Sequence, residues 1–205
     1  MSAWSRFVAS VRADHAQLYD FDERYTSKAH EAALHGNPKG GAGLVARDLV
    51  QRIGMQMMAA YRVMRLFDEL GVPLAPKVTS RLIRLFYGSD IHWDAQIADG
   101  VTIVHGMGLA ISGSARIGSR CLIFHNVTLG EAIDPKTRAV GAPTVEDDVH
   151  IGPGATLLGP ITIGAGSKIM AGSVVTQSIP PNSVVEAPAP NVVSRVRPRA
   201  ARKTS

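Results

Sequence analysis

The chain has 205 residues, a formal net charge of +5 and a hydrophobic content of 45%, with one cysteine. This length suffices for a buried core, and no apolar stretch reaches the roughly 20 residues of a membrane span. The N-terminus, MSAWSRFVASVRADH, has too short an apolar run and too early an acidic residue for a secretory signal. Because Cys121 is alone, the sequence excludes an internal disulfide and a cysteine metal cluster. We therefore expect a cytoplasmic protein with no bound metal.

Much of the positive charge lies in a C-terminal tail, residues 194–205, where basic residues alternate with proline and small residues. No aromatic residues are interleaved with these charges, so base stacking is not indicated. Such a tail is typical of a solvated, flexible end, and we expect no nucleic-acid partner. A mildly basic surface also suits a phosphate-bearing ligand.

Residues 1–88 are predicted to be α-helical. From about 45 to 70, apolar side chains recur at helical spacing, and Gly71 follows as a helix end. A second short helix is predicted from near Pro76, and the first forty residues predict a looser helix or two before the flexible stretch HGNPKGGAG. The methionines of this region are predicted core residues, and no residue in it indicates chemistry.

The residues that follow, 89–193, have a period of six. Aliphatic residues recur at the first place of each hexad, and a small or β-branched residue follows most of them four places later. The aliphatic set is Ile91, Ile97, Ile103, Leu109, Ile111, Ile117, Ile123, Leu129, Val145, Ile151, Leu157, Ile163, Ile169 and Val175. In a hexapeptide repeat each hexad supplies a short strand and a turn, and three hexads close one coil that buries its edges by stacking. The pattern therefore predicts a mixed fold, with an α-helical region followed by a parallel β-helix.

Two interruptions break the period of six. Residues 131–144, EAIDPKTRAVGAPT, must leave the coil as a loop, and long loops on rigid scaffolds often carry function. The other is an insertion of two residues into the period of six, which we call the slip. Counting hexads along the sequence places it between Leu109 and Ile111. Both interruptions are therefore candidates for the functional part of the β-helix.

Two histidines, His105 and His125, take the third place of their hexads. They are twenty residues apart, which equals one coil of about eighteen residues plus the slip, so they are predicted to share a face of adjacent coils. A positioned imidazole can take a proton from a hydroxyl that attacks a carbonyl. We therefore predict His105 as a general base and His125 as a catalytic, packing or binding neighbour, against the alternative that an exposed turn merely tolerates histidine. His92 and His150 occupy other hexad places and are interpreted as surface residues.

The segment from about Tyr61 to Val193 resembles the serine O-acetyltransferases and related hexapeptide-repeat acetyltransferases. The matching pieces are, in order, AYRVMRLF, YGSDIHWDAQI, HGMGLAIS, NVTLG, VHIGPGATLLGPITIG, IMAGSVV and APAPNVV. The resemblance implies a left-handed β-helix that forms homotrimers and binds acetyl-CoA, the acyl donor, between neighbouring subunits. It also implies His105 as the general base and Asp90 as an acid at the acceptor. The residues that it implies for the CoA groove are Gly130, Pro153, Gly154, Ala171, Gly172 and Ser173.

Several residues depart from the serine acetyltransferase pattern. Val104 stands where these enzymes have an acid before the base, and 112–115 read SGSA without the acid of Gly-Glu-Thr-Ala. The loop has VGAP at 140–143 in place of Asp-Arg-His-Pro, although Arg138 lies nearby as a candidate substrate-binding residue. A free amino acid needs a charged clamp for its carboxylate, whereas a sugar hydroxyl needs only hydrogen bonds.

Two acceptors therefore stay open: the hydroxyl of L-serine, as in cysteine biosynthesis, and that of a sugar or exopolysaccharide precursor. The expected mechanism is direct attack of the acceptor hydroxyl on the thioester, with His105 as the base and backbone amides near the turns as oxyanion donors. Cys121 falls at a small-residue place, is predicted to be buried and is not expected to form an acyl-enzyme. A non-catalytic β-helix that binds a partner is the alternative from another class.

Overall fold

A computed structural model describes residues 1–25 and 42–189 of the chain. In these residues helices precede a parallel β-helix, which confirms the predicted fold class. Most of the predicted flexible stretch, residues 35–41, and the basic tail, residues 194–205, lie outside the described residues. Among the described helices, none is both long enough and apolar enough to cross a membrane.

The helical region divides differently from the prediction. Its helices are α1 (Ala3–Tyr25), α2 (Ala42–Gln51), α3 (Ile53–Glu69) and α4 (Ala75–Tyr87). The single helix predicted from about 45 to 70 is wrong, because the backbone is extended at Arg52 (φ −115°, ψ 109°) and separates α2 from α3. The methionine prediction is confirmed for Met55, Met57, Met58 and Met64, whose side chains are buried, whereas Met1 is exposed.

Helix α4 carries most of its apolar residues on its exposed surface. It has a proline in its first turn, as predicted, and ends at Gly88 in the left-handed conformation (φ 58°). Only Ser80 and Ile83 are buried on this helix. The apolar side chains of Val78, Leu82, Leu85 and Phe86 are exposed. Helical periodicity thus locates the helix but does not show which face packs on the rest of the chain.

The strands of the β-helix are short because each one is followed by a turn of the coil. They are β1 (Asp90–Ile91), β2 (Gln96–Ile97), β3 (Thr102–Val104), β4 (Ala110–Ile111), β5 (Arg116–Ile117), β6 (Leu122–Phe124), β7 (Thr128–Gly130), β8 (Ala132–Ile133), β9 (Val140–Gly141), β10 (Thr144–Val145), β11 (His150–Ile151), β12 (Thr156–Leu158), β13 (Thr162–Ile163), β14 (Lys168–Ile169), β15 (Val174–Val175) and β16 (Val184–Val185).

The coil strands stack into three parallel sheets. Sheet A has the order β1-β4-β7-β12-β15, sheet B the order β13-β10-β5-β2, and sheet C the order β16-β14-β11-β6-β3. The insertion at 131–144 leaves this stack as a β-hairpin, in which β8 and β9 pair antiparallel. The chain therefore visits sheet C, then sheet A, then sheet B in each coil, and the hairpin projects from the end of a sheet A strand.

The register of sheet A relocates the two-residue slip. Ile91 pairs with Ile111, twenty residues later, whereas Val145 pairs with Ile163 at the regular spacing of eighteen. The carbonyl of Leu109 accepts the N–H of Asp90, just as the carbonyl of Val127 accepts the N–H of Ala110 one coil later. Leu109 therefore occupies a corner place rather than the first place of a hexad. The slip predicted between Leu109 and Ile111 is wrong, and the two extra residues belong to the turn at 105–108.

Aliphatic side chains at the first hexad place fill the inside of the coils, as the period of six predicts. In sheet A this column comprises Ile91, Ile111, Leu129, Leu157 and Val175, all of them buried. Complete burial of such a side chain contributes roughly 1.5–3 kcal/mol, so the stacked columns supply the main stabilisation of the coil.

Helix α3 packs directly on strand β3 through a glycine. A Cβ atom at Gly54 would lie 1.8 Å from the carbonyl oxygen of Ile103, so no side chain fits between the helix and the strand. One turn later the sulfur of Met57 would lie 2.4 Å from a Cβ atom at Gly106. Helix α3 therefore contacts the chain both before and after His105, the predicted base.

A buried ion pair fastens the helical region to the first coil. Arg62 Nε donates to Asp14 Oδ2 at 2.8 Å, and Asp14 Oδ1 accepts the N–H of Gly100 at 2.9 Å. Burial raises the pKa of the Asp14 carboxyl, and the bonds from Arg62 and two backbone amides only partly oppose this effect. Arg62 also donates to the carbonyl of Ala98 at 2.7 Å, so α1, α3 and the turn before β3 are held together.

We predict that Gly54→Ala lowers the free energy of unfolding by roughly 1–3 kcal/mol, because the added methyl overlaps a backbone oxygen that cannot rotate away. Alanine is otherwise the better helix former, so a mere propensity effect would have the opposite sign. Urea unfolding measures the change. Gly43→Ala is the matched control, since a Cβ atom at Gly43 meets nothing within 4 Å. A Gly54→Ala protein as stable as the control would contradict the close packing of α3 on β3.

Candidate active site

Both predicted histidines and five of the six predicted CoA-side residues lie at one corner of the β-helix. We call this the histidine corner; it comprises the turns at 105–108, 125–126, 153–154 and 171–172, which join sheet C to sheet A. Each turn is hydrogen-bonded to the next one along the stack: Asn126 N–H to the Met107 carbonyl at 2.8 Å, Gly154 N–H to the His125 carbonyl at 3.0 Å, and Gly172 N–H to the Pro153 carbonyl at 2.9 Å. The turns therefore form a column one coil apart.

The first turn of this column, the wide turn at 105–108, differs from the others. Met107 rather than His105 takes the place stacked on His125, so His105 lies in the part of the turn that the two extra residues create. Its backbone has φ 65°, a left-handed conformation that side-chain-bearing residues seldom adopt. Strained backbone of this kind concentrates at functional sites. The imidazole of His105 is exposed to solvent, as a base must be to reach a substrate.

The two imidazole rings face each other across the coils, as the spacing predicts. Their centroids are 5.6 Å apart and the ring planes meet at 66°, an edge-to-face arrangement. His125 is half-buried, and its Nδ1 atom is buried with no hydrogen-bond partner in the described part of the chain. Among residues 1–25 and 42–189, no carboxylate forms an ion pair with His105, in keeping with valine at position 104.

Ser89 closes the wide turn from the preceding coil. Its hydroxyl donates to the carbonyl of Gly106 at 2.7 Å and accepts the N–H of Leu109 at 3.1 Å. The side chain is 1% exposed, so water cannot replace these bonds. Ser89 thus holds the turn after His105 in place, and Asp90, the next residue, begins sheet A beside it.

The predicted CoA-side residues separate into two places. Pro153, Gly154, Ala171, Gly172 and Ser173 lie in the column of the histidine corner or at its edge. Gly130 lies instead at the other end of sheet A, where β7 pairs with β12. Five of the six residues therefore share one corner with both histidines.

An open cleft of about 580 Å³ lies along sheet A, towards its far end. Its lining, which we call the acidic cleft, includes Asp90, His92, Asp94, Ser112, Ser114, Gly130 and Glu131. No lysine or arginine is among the described residues that line it, although Arg84 of α4 forms an ion pair with Asp90. Neither His105 nor His125 lines the cleft. Asp90 connects the acidic cleft with the histidine corner, because it lines the cleft and directly follows Ser89, which is hydrogen-bonded to the wide turn.

Glu131 supplies an acid to the SGSA segment at 112–115. Its Oε1 atom accepts hydrogen bonds from the hydroxyls of Ser112 at 2.9 Å and Ser114 at 2.7 Å. These bonds lower the pKa of the Glu131 carboxyl, which therefore stays ionised at neutral pH. The SGSA segment at 112–115 has no acid of its own, but the adjoining coil places one on it.

The sequence analysis missed three cleft residues, His92, Asp94 and Glu131. His92, interpreted from the sequence as a surface residue, is 35% exposed, lines the cleft and accepts the Asp94 N–H on its Nδ1 atom at 3.1 Å. Ser112 follows His92 by twenty residues, the length of one coil that includes the two extra residues. This spacing predicts that the two residues lie in adjacent coils, and so it would have indicated the cleft. Position 131 gives no such signal, because it already belongs to the insertion.

Arg138 lies in the turn of the projecting hairpin. Its backbone is left-handed (φ 60°), its side chain is exposed, and its N–H donates to the carbonyl of Asp134 at 2.9 Å. It is not among the residues that line the acidic cleft. The described chain thus does not bring Arg138 to either end of sheet A.

Cys121 is buried inside the coil, as its hexad place predicts. Burial raises the pKa of its thiol to about 12, so thiolate is scarce at neutral pH. A cysteine of this kind is a poor nucleophile, and it lies in the turn before β6 rather than at the histidine corner. Among the described residues, no group of three histidine, cysteine or acidic side chains is placed to hold a metal ion.

Comparison with known proteins points to one group of enzymes. Residues 142–177 match the model of the bacterial transferase hexapeptide family, described as six repeats. The chain is 38% identical over 132 residues to a serine acetyltransferase of Synechococcus elongatus, an alignment that covers 64% of this chain and 53% of the relative. It is 37% identical over 132 residues to the serine acetyltransferase of Bacillus subtilis, covering 64% of this chain and 60% of that enzyme.

Solved structures give the same result. The fold matches the Neisseria gonorrhoeae serine acetyltransferase in complex with serine, with a TM-score of 0.70 and 26% identity, over 91% of this chain and 69% of that one. It also matches isoform 3 from Entamoeba histolytica in complex with cysteine, with a TM-score of 0.70 and 27% identity, over 94% and 63% of the two chains. These similarities confirm the resemblance to serine acetyltransferases. The chain spans 53% and 60% of the length of the two relatives matched by sequence.

We predict that Cys121 resists alkylation in the native protein at pH 8, because its thiol is buried and its pKa is about 12. Intact-mass spectrometry after incubation with iodoacetamide measures the modification, and one cysteine makes the mass shift unambiguous. The same incubation in guanidinium chloride is the control and should give complete labelling. Rapid native labelling would contradict the burial of Cys121 and reopen an acyl-cysteine route.

Proposed function

We propose that the chain is an acetyl-CoA-dependent O-acetyltransferase whose acceptor is the hydroxyl of L-serine, the step that activates serine for cysteine synthesis. The observation that carries this proposal is His105: an exposed imidazole in a left-handed wide turn, at the head of a column of turns. The similarity to serine acetyltransferases over 64% of the chain supports the donor, the acceptor and the reaction class.

The proposed chemistry is direct transfer. His105 accepts the proton of the acceptor hydroxyl, the resulting alkoxide attacks the thioester carbonyl, and CoA leaves as the thiolate. Backbone amides of the coil turns stabilise the oxyanion that forms at the carbonyl. The high pKa of Cys121 supports this route over a covalent acyl-enzyme.

We place acetyl-CoA along the histidine corner. Pro153, Gly154, Ala171, Gly172 and Ser173 lie in successive coils below the histidines, and their turns present backbone rather than bulky side chains. Glycine in the left-handed conformation at 154 and 172 (φ 70° at both) leaves the surface of these turns open, since a Cβ atom there would meet nothing within 4 Å. An extended ligand on this column has its thioester end at His105.

We place the acceptor between His105 and the acidic cleft. Asp90 provides a carboxylate for the ammonium group of L-serine, and Ser89 connects Asp90 to the wide turn. Glu131 adds a further negative charge to the cleft. The cleft has no basic side chain in its described lining, so the serine carboxylate has no clamp there. Arg138 is the candidate for that clamp if the hairpin approaches a site, in its own or a neighbouring subunit.

The missing clamp favours a second candidate, an O-acetyltransferase that acts on a sugar or exopolysaccharide hydroxyl. A neutral polyol would use Ser112, Ser114 and the acids of the cleft as hydrogen-bonding groups. Free-thiol release from acetyl-CoA, measured with L-serine, homoserine, ethanolamine and a panel of sugars, separates the two candidates. No release with any acceptor would favour a non-catalytic scaffold.

We also propose a cytoplasmic homotrimer. A single buried thiol suits a reducing compartment. Exposed apolar side chains along the β-helix, among them Met107, Met170, Val174 and Val184, favour burial against further subunits. Sedimentation at equilibrium measures the mass, and a monomer at micromolar concentration would contradict the trimer.

We predict that His105→Ala lowers kcat by roughly 10²–10⁴-fold, the usual contribution of a general base, and leaves the thermal unfolding midpoint unchanged. Thiol release from acetyl-CoA measures the rate. His150→Gln is the matched control, a histidine replaced on sheet C away from the histidine corner, and should retain activity. An active His105→Ala enzyme would rule out His105 as the base.

We predict that Glu131→Gln raises KM for L-serine and for ethanolamine roughly threefold, because the negative charge of the cleft attracts a cationic acceptor and glutamine removes one such charge. The KM for acetyl-CoA should stay the same, since Glu131 lies at the other end of sheet A from the histidine corner. Asp68→Asn, an exposed acid of α3, is the control. Unchanged KM values for both amines would show that the acidic cleft does not hold the acceptor.

A further inference from the structure

We infer that His125 positions the base, by accepting a hydrogen bond from one ring nitrogen of His105 and thereby fixing its tautomer. The inference rests on the proposed function and assigns a role to a residue that the reaction scheme above does not use. A general-base histidine needs its second ring nitrogen held by an acceptor, so that the first keeps a lone pair for the substrate. Position 104 is valine, and no described carboxylate pairs with His105.

The unpaired Nδ1 atom of His125 is the acceptor that the geometry provides. It is buried and has no hydrogen-bond partner in the described chain, an unfavourable state for a polar atom. The ring of His125 is in edge-to-face contact with the ring of His105, and the two centroids are 5.6 Å apart. An N–H···N bond donated by His105 would pair the Nδ1 atom of His125.

The two histidines differ in burial and in how firmly their backbone is held. This difference indicates which one is the base. His125 is half-buried, and its carbonyl is fixed by the N–H of Gly154 in the next coil. His105 is exposed and lies in the wide turn, where its side chain can reach both His125 and solvent. His105 is therefore the substrate-facing ring, and His125 is the fixed partner behind it.

The proton balance follows from this arrangement. One N–H of neutral His105 donates to Nδ1 of His125, and the other nitrogen takes the proton of the acceptor hydroxyl as its oxygen bonds to the thioester carbon. The departing CoA thiolate or solvent then removes that proton from His105. His125 neither gains nor loses a proton, so it is a positioning residue.

Two substitutions separate positioning from packing. In His125→Gln the amide oxygen can still accept a hydrogen bond, whereas His125→Met has similar bulk and no comparable acceptor. We expect His125→Met to lower kcat roughly 10²-fold, as misplacement of a reacting group does, with KM for acetyl-CoA and acceptor within about twofold. His125→Gln should stay within roughly tenfold of the wild-type kcat.

A second measurement does not depend on activity. In protein labelled with ¹⁵N-histidine, the ring nitrogen shifts of His105, assigned by their loss in His105→Ala, report its tautomer. We expect one tautomer in the wild-type protein and in His125→Gln, and a mixture in His125→Met. A wild-type protein without transferase activity would refute the proposed function, while these shifts would still decide whether His125 holds His105.

Three results with the single variants would overturn the inference: a His125→Met enzyme with wild-type kcat, equal losses in the glutamine and methionine variants, or an increase confined to the acceptor KM. The last would make His125 a substrate-binding residue. Additivity of His105→Ala with His125→Met would also overturn it, because a residue that acts only through His105 adds nothing once that ring is gone.

Discussion

The whole candidate site depends on a turn that is two residues longer than its neighbours. In a regular coil each corner turn is stacked on the turns above and below it, as His125 is between Met107 and Pro153. The wide turn at 105–108 keeps that stacking through Met107 and puts His105 into the extra length. Gly106 and Gly108, both left-handed, make the detour sterically acceptable.

The rest of the structure holds this turn rigid. Helix α3 packs on one side of it through Gly54 and Met57, and the buried Ser89 hydroxyl bridges its end from the preceding coil. The Asp14–Arg62 pair fixes that helix on the first coil. The described part of the helical region thus supports the site by holding this turn in place. A general base must be held at a definite distance from its substrate, and this packing supplies that support.

The sequence predicted the coil and the neighbouring histidines because a six-residue period is a direct consequence of one strand and one turn per hexad. It did not place the slip, since Leu109 is aliphatic and suits both a first place and a corner; only backbone pairing distinguishes them. Glu131 was missed because its partners, Ser112 and Ser114, lie in another coil and its own position follows no repeat. The break at Arg52 was missed because the apolar periodicity continues across it.

The central claim is that this β-helix transfers an acetyl group from acetyl-CoA to a hydroxyl held between His105 and the acidic cleft. Mass spectrometry of the products formed by the full chain from acetyl-CoA and L-serine tests it most directly. We expect O-acetylserine in an amount equal to the CoA released. Acetyl-CoA left intact in the presence of serine and of every sugar acceptor would contradict it.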